Sequence, residues 1–201
     1  MRFLYKILHR LFPKLIFFVE NSEAWYLTID DSPSQDTPWI LDILDRYQVK
    51  ANFFCIGENI EKFPVQFAQI IERGHAVGYH SYAHKNAFKM PFSSWKSDFE
   101  MNLKQFESNL YRPPYGKLTW RAYRHIFPKY KIILYDILAE DWNPLQDPIK
   151  TIQSKLNSAQ NGSIFVFHDN MKSKDNMKKM LPYFLEYAKS NQKTISNIME
   201  L

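Results

Sequence analysis

Runs of strand-like apolar residues alternate with amphipathic stretches of helical period along almost the whole chain, and that alternation leaves few folds open to it. The strand candidates are residues 24–30 (AWYLTID), 50–56 (KANFFCI), 75–80 (HAVGYH), 110–113 (LYRP), 130–136 (YKIILYD), 163–169 (SIFVFHD) and 193–198 (KTISNI). Between them fall TPWILDILDRYQ, FPVQFAQIIERG, SSWKSDFEMNLKQFES, DPIKTIQSKLNSA and NMKKMLPYFLEYAKS. Proline near several helix starts, and Gly74 and Gly162 beyond helix ends, punctuate the pattern. Such alternation implies parallel strands joined by crossover helices, because a tight turn cannot return a strand parallel to its neighbour. About seven repeats in 201 residues suit an α/β fold, a small, distorted or incomplete (β/α)7-8 barrel. An open doubly wound sheet is the structural alternative. With no fixed-period repeat and no low-complexity linker, residues 1–201 read as a single domain, with 1–22 as an N-terminal extension packing on the barrel.

In a parallel barrel all strand C-termini open on one face, so residues scattered along the chain converge there. The chemically distinctive residues fall at those ends. Asp30 and Asp31 end the first strand, His80 and His84 follow the third, and Arg112 ends the fourth. Asp141 and Trp142 lie after the fifth, and His168 ends the sixth. Two adjacent carboxylates raise each other's pKa unless something positive sits beside them. The HSYAH stretch, His80 to His84, offers two imidazoles four apart on a helical turn or a tight loop, which can chelate one cation. Taken alone, that spacing is as readily two polar loop residues. A carboxylate would complete a two-His, one-Asp set with coordination positions left for water and substrate. One aspartate then holds the metal. The other, facing a different way because successive strand residues diverge, is free to take a proton. The same ligand set also describes a non-haem Fe(II) oxygenase, but that reading leaves Asp30, Arg112 and His168 without a purpose.

IDDSP, HSYAH, RPPYG and FVFHD, in that order, resemble the motif series of the polysaccharide deacetylases, also called carbohydrate esterase family 4 or the NodB homology domain. The resemblance covers about Trp25 to Lys189 and is closest to the short, single-domain bacterial members. It implies a metal-dependent hydrolase that removes acetyl groups from N-acetylated, or O-acetylated, sugars and glycans. By that resemblance Asp30 is the catalytic base and Asp31 a metal ligand, joined by His80 and His84. Arg112 holds the base, the Tyr115 backbone N–H donates to the oxyanion, His168 is the general acid and Asp141 tunes that histidine. Tyr115, Trp142 and Pro113 are the implied substrate contacts. The implied cofactor is one divalent metal ion, with Zn2+ the leading candidate and Co2+, Ni2+ or Mn2+ the others. A catalytically silent carbohydrate-binding protein on the same fold is the alternative. Two positions depart from the family pattern: Ser32 replaces the usual glycine, and Leu138 stands where another aspartate is common. Asp136 nearby either faces the pocket or ends a strand.

Charge adds little. A net +5 from 26 basic and 21 acidic residues is a mild, dispersed excess, and neither an RNA-recognition signature nor zinc-finger spacing is present, so no nucleic-acid partner is expected. Arg2, Lys6, Arg10 and Lys14 interrupt every N-terminal apolar run before it reaches signal-peptide length, which favours a cytoplasmic protein; a monomer is expected. The first dozen residues can form a basic amphipathic helix that packs on the fold or makes peripheral membrane contact. Cys55, inside NFFCIG, reads as core, His75 as a buried structural histidine, and His9 and His125 as surface residues. Trp39, Trp95 and Trp120 fit helix faces.

Overall fold

The computed structural model describes residues 2–198, with the side chains of residues 3, 4, 6 and 9 outside the description, His9 among them. In chain order the elements are α1 (Arg2–Leu11), β1 (Leu15–Ile16), β2 (Tyr26–Ser32), α2 (Thr37–Arg46), β3 (Asn52–Cys55), α3 (Gly57–Lys62), α4 (Pro64–Glu72) and β4 (Ala76–Tyr79). They continue with α5 (Phe92–Leu103), β5 (Leu110–Tyr111), α6 (Trp120–Ile126), β6 (Lys131–Ile133), β7 (Ile137–Leu138), α7 (Pro148–Ser158), β8 (Ile164–His168) and α8 (Lys174–Ser190). The eight strands form one sheet in the order β1-β6-β5-β4-β3-β2-β8-β7, and every pairing within it is parallel. The end strands β1 and β7 each pair on one side only, so the sheet is a curled half-barrel, the incomplete form of the expected α/β barrel.

Period-two alternation within β2 explains both layers. Leu27 and Ile29 point to the main core, where they meet Phe53, Phe165 and Phe167 of the neighbouring strands and Leu41, Leu44, Leu181 and Phe184 from the covering helices. Burying each such side chain contributes about 1.5–3 kcal/mol. Tyr26, Thr28 and Asp30 point the other way, into the curl, with Phe54 and Ile133. Gly78 of β4 is there because a Cβ would lie 2.6 Å from the Phe54 ring.

Three features of the chain differ from the periodicity. The 193–198 run makes only one isolated bridge, Trp25 to Ile195. From Tyr26 onward β8 occupies one side of β2, and from Thr28 β3 occupies the other, which leaves no free ladder for a further strand. Two-residue β1 and β7 are too short to carry a period. The first of these lies within 1–22 and pairs with β6, so this segment adds a strand to the sheet besides packing against it. Asp136 turns away from the pocket: it accepts from the Arg2 guanidinium at 2.7 Å, from the Ser163 hydroxyl and from the Ile164 N–H, tying α1 to the sheet. Among the described residues no helix is long and apolar enough to cross a membrane.

Candidate active site

Strand register brings the first two chemical groups together. Asp30 of β2 is the direct partner of His168 of β8. Beyond Asp30 the β2–β3 register slips by one residue, and Asp31 takes the left-handed conformation, φ 66°. This bulge corrects the expectation that alternation would aim the two carboxylates apart, because both line the same pocket. Ser81, His84, Tyr115 and Glu140 also have positive φ. Each non-glycine residue held there costs about 1–2 kcal/mol; these four join Asp31 in the loops at the strand C-termini, whereas Asn21, Gln48 and Gln192 share the conformation elsewhere.

His80 follows β4 directly, and the chain then folds back in a tight loop, not a helical turn, that returns His84. Asp98 of α5 accepts the N–H groups of Tyr82 and Ala83, and Asn102 donates to the Ser81 carbonyl at 2.8 Å, fixing the loop. His80 Nδ1 lies 2.8 Å from the Arg112 carbonyl. A carbonyl only accepts, so Nδ1 carries the proton and Nε2 presents its lone pair. Burial, and after it the neighbouring His80, lowers the pKa of His84, which favours the neutral ring that can ligate a metal. Asp31 Oδ1 sits 3.5 Å from His80 Nε2 and 3.3 Å from His84 Nε2. It is buried with no hydrogen-bond partner, while Asn170 donates to Oδ2 at 2.6 Å. One ligand atom from each of Asp31, His80 and His84 lies within 4.8 Å of the others. An orphaned carboxylate oxygen facing two imidazole nitrogens fits a divalent cation, which all three could ligate.

Asp30 Oδ2 lies 3.8 Å from His80 Nε2, and Oδ1 has a partner of its own. Arg112, fully buried, donates through one terminal nitrogen to Asp30 Oδ1 and to the Thr28 hydroxyl, both at 2.6 Å. Its remaining nitrogens donate to the Ile133 and Leu134 carbonyls, and its plane lies 4.2 Å over the Phe54 ring. Burial would push the Asp30 carboxyl up, but the Arg112 charge, helped by His80 and His168, holds it below its ordinary value. His168 is clamped by Asp141: its backbone N–H donates to one carboxylate oxygen at 2.7 Å and its Nδ1 to the other at 2.8 Å. Burial opposes a charge on that ring, yet the Asp141 hydrogen bond and charge raise its pKa to about 9.

Asp30, Asp31, His80, His84 and His168 line one pocket of about 710 Å³, and Arg112 and Asp141 are buried outside its lining. The Trp142 edge lies against the His168 ring, with centroids 5.0 Å apart, and the Tyr115 ring stands 4.7 Å from His84. Pro113, an expected substrate contact, is buried and is not among the residues lining the pocket. Leu138, at the departed family position, does line it. Ser32 fits because its hydroxyl donates to Asp169, a buried carboxylate that also accepts from Ser34 and Thr37. Sequence reasoning passed over Asn170, Tyr135, Lys117 and Lys172, which also line the pocket. Asn170 and Lys172 follow FVFHD closely and Lys117 follows RPPYG, so adjacency to a motif was the one signal that could have found them. His75, as expected, is structural, its Nδ1 accepting the Ala51 N–H.

Residues 19–126 match the sequence profile of the polysaccharide deacetylases. The chain is 29% identical over 189 residues to a bifunctional xylanase/deacetylase of Pseudobutyrivibrio xylanivorans, covering 90% of this chain and 31% of that protein. It is 31% identical over 160 residues to a peptidoglycan-N-acetylglucosamine deacetylase of Bacillus cereus, covering 74% of this chain and 56% of that one. The chain therefore spans about a third to just over half of these relatives. Among solved structures, it superposes on the Xyl-CE4 domain of a multidomain xylanase from the hindgut metagenome of Trinervitermes trinervoides with a TM-score of 0.81 and 27% identity, over 90% of this chain and 89% of that one. This chain belongs to the polysaccharide deacetylase family.

Proposed function

We propose that the protein is a metal-dependent deacetylase of N-acetylated sugars or glycans, with Asp31, His80 and His84 as the ligands. The observation that carries the reading is the division of the carboxylate pair: Asp30 gives Oδ1 to Arg112, with its Oδ2 3.8 Å from His80 Nε2, while Asp31 Oδ1 lies nearer, at 3.5 and 3.3 Å from the two histidines. When bound, a divalent cation would polarise the acetyl carbonyl and make an adjacent water more acidic. Asp30, ionised beside Arg112, takes the proton of that water through the oxygen Arg112 does not hold. The Tyr115 N–H is assigned to the oxyanion that develops as the water oxygen bonds to carbon. His168 then gives its proton to the amine nitrogen as the C–N bond breaks, leaving acetate and a free amino sugar. Trp142 and Tyr115 flank the sugar. Acetate release from a panel of N-acetylated glycans tests this, run on metal-stripped protein with each divalent cation restored in turn. Turnover that appears with a cation and vanishes on chelation is expected; equal release with and without metal would sink the reading.

The acid carries its own expectation. A pKa raised to about 9 keeps His168 protonated through neutral pH, so the rate should fall only as pH approaches that value. Asp141→Asn removes the charge that raises it, and the falling limb should move down toward the ordinary imidazole range. His168→Ala should damage amide hydrolysis about a hundredfold more than hydrolysis of an acetyl ester with a good leaving group, which needs no proton to depart. Equal losses on both substrates would make His168 a positioning residue.

A further inference from the structure

The pocket wall carries charge that the deacetylation chemistry does not use. Its acidic groups are Asp30 and Asp31 alone; Arg112 neutralises the first, and the cation proposed above neutralises the second. His168 adds no free charge, because the buried Asp141 carboxylate clamps it. Two further lining residues, Lys117 and Lys172, are exposed cations. Their backbones are pinned: the Lys117 N–H donates to the Pro114 carbonyl at 3.1 Å, and the Lys172 N–H donates to the Asn170 side chain at 2.9 Å. Lys117 stands on the loop after β5 and Lys172 on the loop after β8. In the sheet those strands are separated by β4, β3 and β2, the strands that present the histidines and the aspartate pair. The lysines thus stand on opposite sides of the reaction centre. A cleft whose free charges are all of one sign focuses the opposite charge into it. A neutral glycan gains nothing from that field, and a cationic one is repelled.

We propose that Lys117 and Lys172 form an anion-selecting pair at the pocket mouth, so that the preferred substrate is an N-acetylated sugar carrying a phosphate or carboxylate. The selection rests on the deacetylase reading, but binding can test it separately. The probes are N-acetylglucosamine 1-phosphate for phosphate, N-acetylmuramic acid for carboxylate, and N-acetylglucosamine as the neutral control. Titration of each into zinc-loaded protein reads affinity, and acetate release reads turnover. At least one anionic probe should bind about tenfold more tightly than the neutral sugar, an advantage that shrinks as salt rises. The double variant Lys117→Ala/Lys172→Ala should lose that tenfold and leave the neutral sugar's affinity unchanged; Lys→Arg at both sites should keep it. Tighter binding of only one probe identifies phosphate or carboxylate as the group. Equal affinity for charged and neutral sugars, or an anion preference that survives the double alanine variant, would overturn the proposal. Absence of acetate release alongside intact anion-selective binding would fail the deacetylase reading and leave the selectivity standing.

Discussion

Asp30→Asn is expected to lower kcat about a thousandfold while the protein keeps its fold and its metal affinity, because it removes the proton acceptor and leaves the three ligands in place. The amide oxygen can still accept from Arg112, so the guanidinium keeps a partner. Asp31→Asn should do something different. It takes charge from the oxygen that faces both histidines, so metal affinity itself should fall, with activity recovered in part by excess cation. Turnover and metal content measured side by side on the two variants separate the roles. Loss of metal from Asp30→Asn with retention in Asp31→Asn would require the roles to be exchanged.

Arg112→Ala should cost about 3–5 kcal/mol of stability, the largest single effect expected outside the core, because it strands a buried carboxylate and two carbonyls. Urea unfolding measures this. In whatever remains folded, Asp30 loses the charge that offsets its burial and its pKa rises. The acidic limb of the rate profile should therefore move to higher pH, since a base held protonated is ionised only at higher pH. A stability loss below about 1 kcal/mol would mean the guanidinium is not the internal counter-ion described here.

Much of this was legible in the chain. Parallel strands covered on both faces read as continuous apolar runs, which is why β2, β3 and β8 were plain in the sequence. The site residues were legible because a parallel fold gathers strand ends, so Asp30, His80, Arg112 and His168 could be placed on one rim without coordinates. Non-local geometry was not legible. The bulge at Asp31 depends on how β2 meets β3, and no local pattern announces it. Asp136 could not be assigned because its partner, Arg2, lies at the other end of the chain. The role of Asn170 was hidden for a like reason, although it follows a motif: its partner Asp31 is distant in sequence and adjacent only once β8 lies beside β2. Strands of two residues, such as β1 and β7, have no period to read.

The central claim is that Asp31, His80 and His84 hold one divalent cation while Asp30 stays free of it. Calorimetric titration of zinc into metal-stripped protein tests it most directly, with the wild type, Asp30→Asn and the double variant His80→Ala/His84→Ala compared under one buffer and each checked for folding by circular dichroism. The wild type and Asp30→Asn should each bind one equivalent with similar affinity, and the folded double variant should bind none at this site. Stoichiometric zinc retained by the double variant would contradict the ligand assignment.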